Sequence, residues 1–189
     1  KQPPKFSDVD LCEAITPELE IDIKNPDDGD DFEIGDKIKG EVNVENNADE
    51  KLDVKLKIYL YDIDDDKIIE DVKEKVDVRD GRDEDVEFEI EIPSDVEDNQ
   101  FVIFVKAEGE NDNDYCNSEF VEINIERQDD KLIIDDFRLN PSEASPGERV
   151  QAEVKIDNIG SDEQEAYVKL ENTALGLSAK SERFDIEEY

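Results

Sequence analysis

From Val86 to Ile92 the chain reads Val-Glu-Phe-Glu-Ile-Glu-Ile, with an apolar residue at every second position and Glu between. Successive side chains of an extended strand point to opposite faces, so this segment predicts a strand with one face buried and one in water. The same alternation predicts strands over Leu19 to Ile23, Ile38 to Val44, Val54 to Tyr61, Val76 to Val78 and Phe120 to Ile125. Phe101 to Ala107 differs, being apolar on both faces except at Lys106. Between these runs lie turn clusters such as Asn25-Pro26-Asp27-Asp28-Gly29, Asn46-Asn47-Ala48-Asp49, Asp80-Gly81 and Asn111-Asp112-Asn113-Asp114. Seven short strands with turns at this spacing predict an all-β fold, an antiparallel sandwich of the immunoglobulin-like kind.

After Arg127 the pattern starts again. With a shift of 112 residues Gly35 falls on Gly147, Ile38 on Val150, Glu41 on Glu153, Val42 on Val154, Val44 on Ile156 and Asn46 on Asn158. The match continues without a gap through Val54 on Ala166, Leu56 on Val168, Lys57 on Lys169 and Ile58 on Leu170. A sustained self-match of this kind reads as a duplicated module. The sequence therefore predicts two sandwiches in series, residues 1–127 with an N-terminal arm and residues 131–189, joined by a short linker. Phe184-Asp185-Ile186 takes the place of Val76-Asp77-Val78, so the second sandwich is expected to be incomplete, lacking about three C-terminal strands. Its core would then be covered either by a continuation of the parent protein or by strands from a neighbour added to the open edge.

Composition bears on order first and then on chemistry. The chain has 189 residues, 58 Asp and Glu against 22 Lys and Arg, and a formal net charge of −36. Such a charge can mark disorder, but Ile, Val, Leu and Phe make up 52 residues, led by β-branched Ile and Val, which suit a pleated surface. An anionic surface repels phosphate backbones and acidic headgroups, so nucleic acid is excluded as a partner. No apolar run reaches the length needed to cross a bilayer, so this segment is not expected to insert in a membrane. There is no His, which removes the commonest general base and transition-metal ligand and any Ser-His or Cys-His pair. Paired carboxylates for glycoside hydrolysis have no discriminating power among 58 candidates, and Tyr59, Tyr61, Tyr115 and Tyr167 fit packing better than sugar stacking. We expect no catalytic residues and no enzyme.

Two constellations are left. Cys12 lies just ahead of the first strand and Cys116 just ahead of the last, at one end of the first module, where a bridge would close a loop of just over 100 residues. The alternatives are that bridge, with an oxidising compartment, or two separate thiols. The acidic turns hold Asp27, Asp28 and Asp30, then Asp62, Asp64 and Asp66, then Asp112 and Asp114. Such turns can offer the oxygen ligands that calcium takes, or simply cap their own backbone in water. None follows the EF-hand pattern, since Lys67 and Lys73 stand where Gly and Glu would be needed after Asp62. No cofactor is required by these readings, and calcium is the one ion they allow.

Leu19 to Asp30, with Gly35 and Val42-Asn43-Val44-Glu45-Asn46-Asn47-Ala48-Asp49-Glu50, resembles the Asp-rich tandem modules of S-layer proteins from uncultured archaea. Phe137-Arg138-Leu139-Asn140-Pro141-Ser142, Pro146-Gly147-Glu148 and Val154 to Gly160 resemble the cell-adhesion-related β-sandwich domain of prokaryotic surface proteins. The resemblance implies an extracellular, structural cell-surface protein that self-assembles into an S-layer or fibre, with copies of itself or other surface proteins as partners. It implies an adhesion or ligand-binding module as the alternative. An early Cys recurring with Cys116-Asn117 fits the bridge, whereas Ser145 stands where similar chains can carry another Cys.

Overall fold

The computed structural model of the chain describes residues 6–96, 99–110, 115–145 and 147–187. It is built of strands and turns, and it divides into two compact units, Lys1–Glu126 and Arg127–Tyr189.

Among the described residues unit 1 has eight strands: β1 (Leu19–Asn25), β2 (Asp31–Glu33), β3 (Lys37–Asn46), β4 (Leu52–Asp62), β5 (Lys67–Val78), β6 (Arg82–Glu91), β7 (Gln100–Gly109) and β8 (Cys116–Glu126). They form one sheet in the order β1-β3-β6 and a second in the order β2-β8-β7-β4-β5. Two sheets with these crossovers, and a first strand that leaves one sheet to join the last strand of the other, define an immunoglobulin-like sandwich. The switch is made at the Asp27–Asp31 turn. Before it β1 runs antiparallel to β3, and after it β2 runs parallel to β8, with Asp31, Phe32 and Glu33 opposite Asn124, Ile125 and Glu126. Gly29 sits in that turn with φ of 90°, a region where a Cβ is unfavourable, and donates its N–H to the Glu122 carbonyl.

Alternation decides which face of each strand is buried. Ile38, Val42 and Val44 of β3 and Phe88 and Ile90 of β6 face inward against Leu56, Ile58 and Leu60 of β4 and Phe101, Ile103 and Val105 of β7, all buried. The acidic residues between them on β6 stay in water, which is how a chain of this charge still builds a core. β7 breaks the alternation because its outer face is buried too. Phe101, Val102, Ile103, Phe104 and Val105 are all essentially inaccessible, each contributing roughly 1.5–3 kcal/mol by burial.

Among the described residues unit 2 has six strands: β9 (Leu132–Asn140), β10 (Gln151–Asn158), β11 (Gln164–Ala166), β12 (Lys169–Asn172), β13 (Leu177–Lys180) and β14 (Phe184–Ile186). They form three two-stranded ribbons, β9 with β10, β11 with β14 and β12 with β13. The pairing repeats unit 1 residue by residue. β10 takes the place of β3, and Leu132 stands opposite Asn158 as Leu19 stands opposite Asn46. Gln164 stands opposite Ile186 as Leu52 stands opposite Val78.

The sequence expectations differ from this in two places. β2 was not predicted, because Phe32 is the one apolar residue in three and no alternation can show in so short a strand. β5 is twelve residues long where Val76 to Val78 alone was expected; ahead of Val76 the adjacent Ile68 and Ile69 and the charged runs Glu70-Asp71 and Lys73-Glu74-Lys75 break the alternation, and cross-strand pairing with β4 holds it extended.

Candidate functional site

The outer face of the β4–β7–β8 surface holds the densest chemistry in unit 1. Directly opposed pairs there are Tyr59 with Phe104, Tyr61 with Val102, Lys57 with Lys106 and Phe104 with Phe120. Left in water, this would be an aromatic patch with two like charges face to face, an arrangement that destabilises a sheet. The N-terminal arm, residues 6–16, covers it. The Phe6 ring packs against Tyr61, Phe104 and Phe120 with ring centroids 4.6–5.5 Å apart, and Val9 joins the same buried cluster. Asp10 meets the lysines, with Oδ2 2.9 Å from Lys106 Nζ and 3.6 Å from Lys57 Nζ. Glu108 completes the network at 3.0 Å from each lysine.

Lys106 is only 4% exposed. Burial opposes its charge, but hydrogen bonds from its ammonium to Asp10 and Glu108 outweigh that and hold its pKa above the ordinary lysine value. Asp10 is held below the usual carboxylate range, chiefly by its hydrogen bond to Lys106. Burial pushes the Tyr61 hydroxyl up to about 12, helped by its hydrogen bond to the Asp66 carboxylate. Glu119, half-buried, is raised by burial although it accepts the Ile23 N–H. Asp10, Lys57, Lys106 and Glu108 make a salt-bridged fastening between the arm and the sheet.

The arm ends in the disulfide. Cys12 and Cys116 are bonded, with their Cα atoms 5.7 Å apart, and Thr16 makes a two-way clasp just beyond. Its N–H and Oγ1 both donate to the Cys116 carbonyl, and its Oγ1 accepts the Cys116 N–H. Of the two alternatives left by the sequence, the bridge is the one formed.

The acidic turns have partners of their own. Asp62, buried at the end of β4, accepts the N–H groups of Asp64 and Asp65 and the Asn99 side-chain amide. Asp64 accepts the Gln100 N–H, and Asp66, with φ of 54°, accepts from Ser7 and Tyr61. Asp28 accepts the Glu122 N–H, and Asp30 accepts the Asp27 N–H. These oxygens close the β4–β5 turn and the sheet switch. Among the described residues no three acidic or thiol side chains converge to hold a metal ion. Asp112 and Asp114 lie outside the described residues.

One pair of residues does the same work in both units. Asn46, fully buried, donates from Nδ2 to the carbonyls of Glu50 and Val78 at 2.8 and 2.9 Å and accepts the Ala48 N–H. Asn158, also buried, donates to Asp162 and Ile186 at 2.8 and 3.2 Å and accepts the Gly160 N–H. A buried amide that satisfies three backbone groups fixes the corner between strands. The repeat exposed both asparagines in the sequence, but not their role.

No protein-family model matches the chain, and no curated protein matches it. Among solved structures it is similar to a CARDB domain from Pyrococcus furiosus, crystallised in complex with di-metal ions, at 16% identity and a TM-score of 0.42 over 64% of this chain and 100% of that one. CARDB is an immunoglobulin-like, cell-adhesion-related β-sandwich. A Bacteroides uniformis β-glucuronidase is similar at 11% identity and a TM-score of 0.42, over 62% of this chain and 14% of the enzyme. The sporulation control protein Spo0M of Bacillus subtilis is similar at 12% identity and a TM-score of 0.42, over 89% of each chain. The chain spans a small part of the glucuronidase, and likeness at these identities carries nothing about activity.

Proposed function

We propose that this chain is a structural part of an extracellular cell-surface protein, without catalytic activity, whose β-sandwich modules space and join copies in an S-layer or fibre. The observation that carries this reading is the corner built twice, at Asn46 and Asn158, which makes the chain a series of like modules. The Cys12–Cys116 bridge agrees with an oxidising exterior, and the acidic solvent faces suit a surface kept hydrated and drawn together by cations. In this reading calcium acts between copies, bridging carboxylates of facing molecules, rather than in a site within one chain.

Adhesion is the second reading. It is favoured by an open cleft of about 610 Å³ beside Gly40 and Phe88, where Lys24 and Lys39 stand among Glu41, Glu74, Glu87 and Glu89. Electron microscopy of the purified chain with and without millimolar calcium separates the two. The structural reading expects ordered sheets or fibres that dissolve on chelation; dispersed particles under both conditions would contradict it.

A further inference from the structure

The outer face of β4 and β5 in unit 1 carries four lysines in a block, Lys55 opposite Lys75 and Lys57 opposite Lys73. Like charges directly opposite on neighbouring strands destabilise a sheet, and with 58 acidic residues against 22 basic ones nothing in the composition favours such a grouping. It is nevertheless repeated. Lys169, which the 112-residue shift places on Lys57, stands opposite Lys180 in unit 2. In unit 1 the arm reaches the block only at Lys57, through Asp10, and Lys73 and Lys75 are 69% and 64% exposed at their side chains. Each has one carboxylate beside it, Asp71 at 3.0 Å from Lys73 and Glu110 at 2.6 Å from Lys75. Exposed ion pairs of this kind hold weakly.

The other outer face of unit 1, on β1, β3 and β6, is the converse. Glu20 stands opposite Glu45, Glu45 opposite Asp83, and Glu41 opposite Glu87. The Asn43 amide donates to Asp83, but among the described residues Glu20, Glu41, Glu45 and Glu87 have no ion-pair partner. Both blocks are laid out on the strand lattice, with neighbours about 4.8 Å apart across strands and roughly 7 Å apart along them. The spacing of the lysines therefore matches that of the carboxylates.

We propose that unit 1 docks on a second copy of the chain, its β4–β5 lysine block against the acidic β1–β3–β6 face of the next molecule. Either face laid on itself sets like charges together, whereas one laid on the other relieves the like-charge cost of both. The two faces lie on opposite sides of one sandwich, so the contact is heterologous. Each copy keeps one block free on either side, and the contact repeats from copy to copy instead of ending at a pair. This joint deepens the structural reading above, on which its place in a coat or fibre rests, but it needs no calcium.

Sedimentation velocity of the 189-residue chain with chelator present tests it, at roughly 0.15 M salt, where repulsion between the acidic molecules is screened beyond about 8 Å. Dimers and longer strings are expected to grow with concentration. K73Q/K75Q and E20Q/E45Q should each weaken the contact roughly tenfold, with unchanged circular dichroism. E20Q/E45Q removes negative charge and by net charge alone would favour association, so its weakening marks this contact. An equimolar mixture of the two variants has one intact block on each partner and should stop at the heterodimer. An unaltered chain that stays monomeric at millimolar concentration overturns the proposal. So does a closed dimer, association indifferent to either variant, or a mixture that fails to pair. Strings that never order into sheets or fibres when calcium is added would sink the coat reading and leave this contact standing, whereas ordered arrays of K73Q/K75Q would sink this contact alone.

Discussion

Units 1 and 2 are two versions of one module in one chain, and they differ in how their cores are covered. Leu19 and Leu132 hold equivalent places, each opposite the buried corner asparagine, yet Leu19 is 0% exposed and Leu132 is 38% exposed. Ile23 and Phe137 likewise face Val42 and Val154, the first buried and the second open. Local sequence is the same in kind at each pair, so burial is not decided by the residue or its strand. It is decided by β6, β7 and β8, which close unit 1 and have no counterpart among the described residues of unit 2. Among its described residues unit 2 keeps the corner and the pairing register of unit 1 while Leu132 and Phe137 stay exposed.

The largest break in that comparison should come from the disulfide, which exists in unit 1 only. Replacing Cys12 and Cys116 by Ser opens a loop whose ends are 104 positions apart in sequence and should cost unit 1 about 4–5 kcal/mol. Unit 2 should be untouched, so denaturant unfolding followed at residues of each unit should separate the two transitions further or reverse their order.

The corner asparagines test whether the two units are built alike. Asn46→Ala leaves two buried carbonyls and the Ala48 N–H without the side chain they share and should destabilise unit 1 by about 2–3 kcal/mol. Asn158→Ala should do the same to unit 2 and leave unit 1 alone. Equal effects of either substitution on both units, in thermal unfolding monitored by NMR, would contradict independent corners.

Gly40→Ala sharpens the contrast between the units. In unit 1 the new methyl group meets the Phe88 ring and the Asn25 carbonyl and should cost about 1–3 kcal/mol by overpacking. In unit 2 the equivalent Ala152 should be exchangeable for Gly at a cost of no more than about 1 kcal/mol. Chemical denaturation of the two variants gives both numbers.

The smallest effect is the pH dependence of the arm, which only unit 1 has. Asp10 has a lowered pKa when folded, so its contribution is full above the ordinary carboxylate value near 4 and is lost as pH falls through the folded value. Lys106 has a raised pKa, so its contribution is full below about 10.5 and is lost as pH rises through the folded value. Glu119, raised by burial, acts the other way to Asp10, favouring the fold under acid and losing that contribution as pH rises through its folded value. Phe6 and Val9 resonances should therefore broaden below pH 4 while those of β10 do not change.

How much of this could be read in the sequence depended on whether a single period carried it. The alternation of β6 and β3 is visible because each strand has one wet face. The two-faced β7 was visible as a pattern, but its cause was not, since the Phe6–Asp10 arm that covers it lies about 90 residues away with no periodicity of its own. The disulfide was legible because the chain has two cysteines and both flank strands. Asp10, Lys106 and Glu108 were not, because in a chain with 58 acidic residues no one carboxylate stands out. Asp62 could not be told from a calcium ligand, since a tight turn and a metal ask for the same crowding of oxygens.

Amide hydrogen exchange at the matched strands β3 and β10, in the same sample at low protein concentration, tests the contrast between a covered and an open module most directly. The account predicts strong protection at Val42 and Val44 and exchange faster by two orders of magnitude or more at Val154 and Ile156. Equal protection at the two pairs would contradict it.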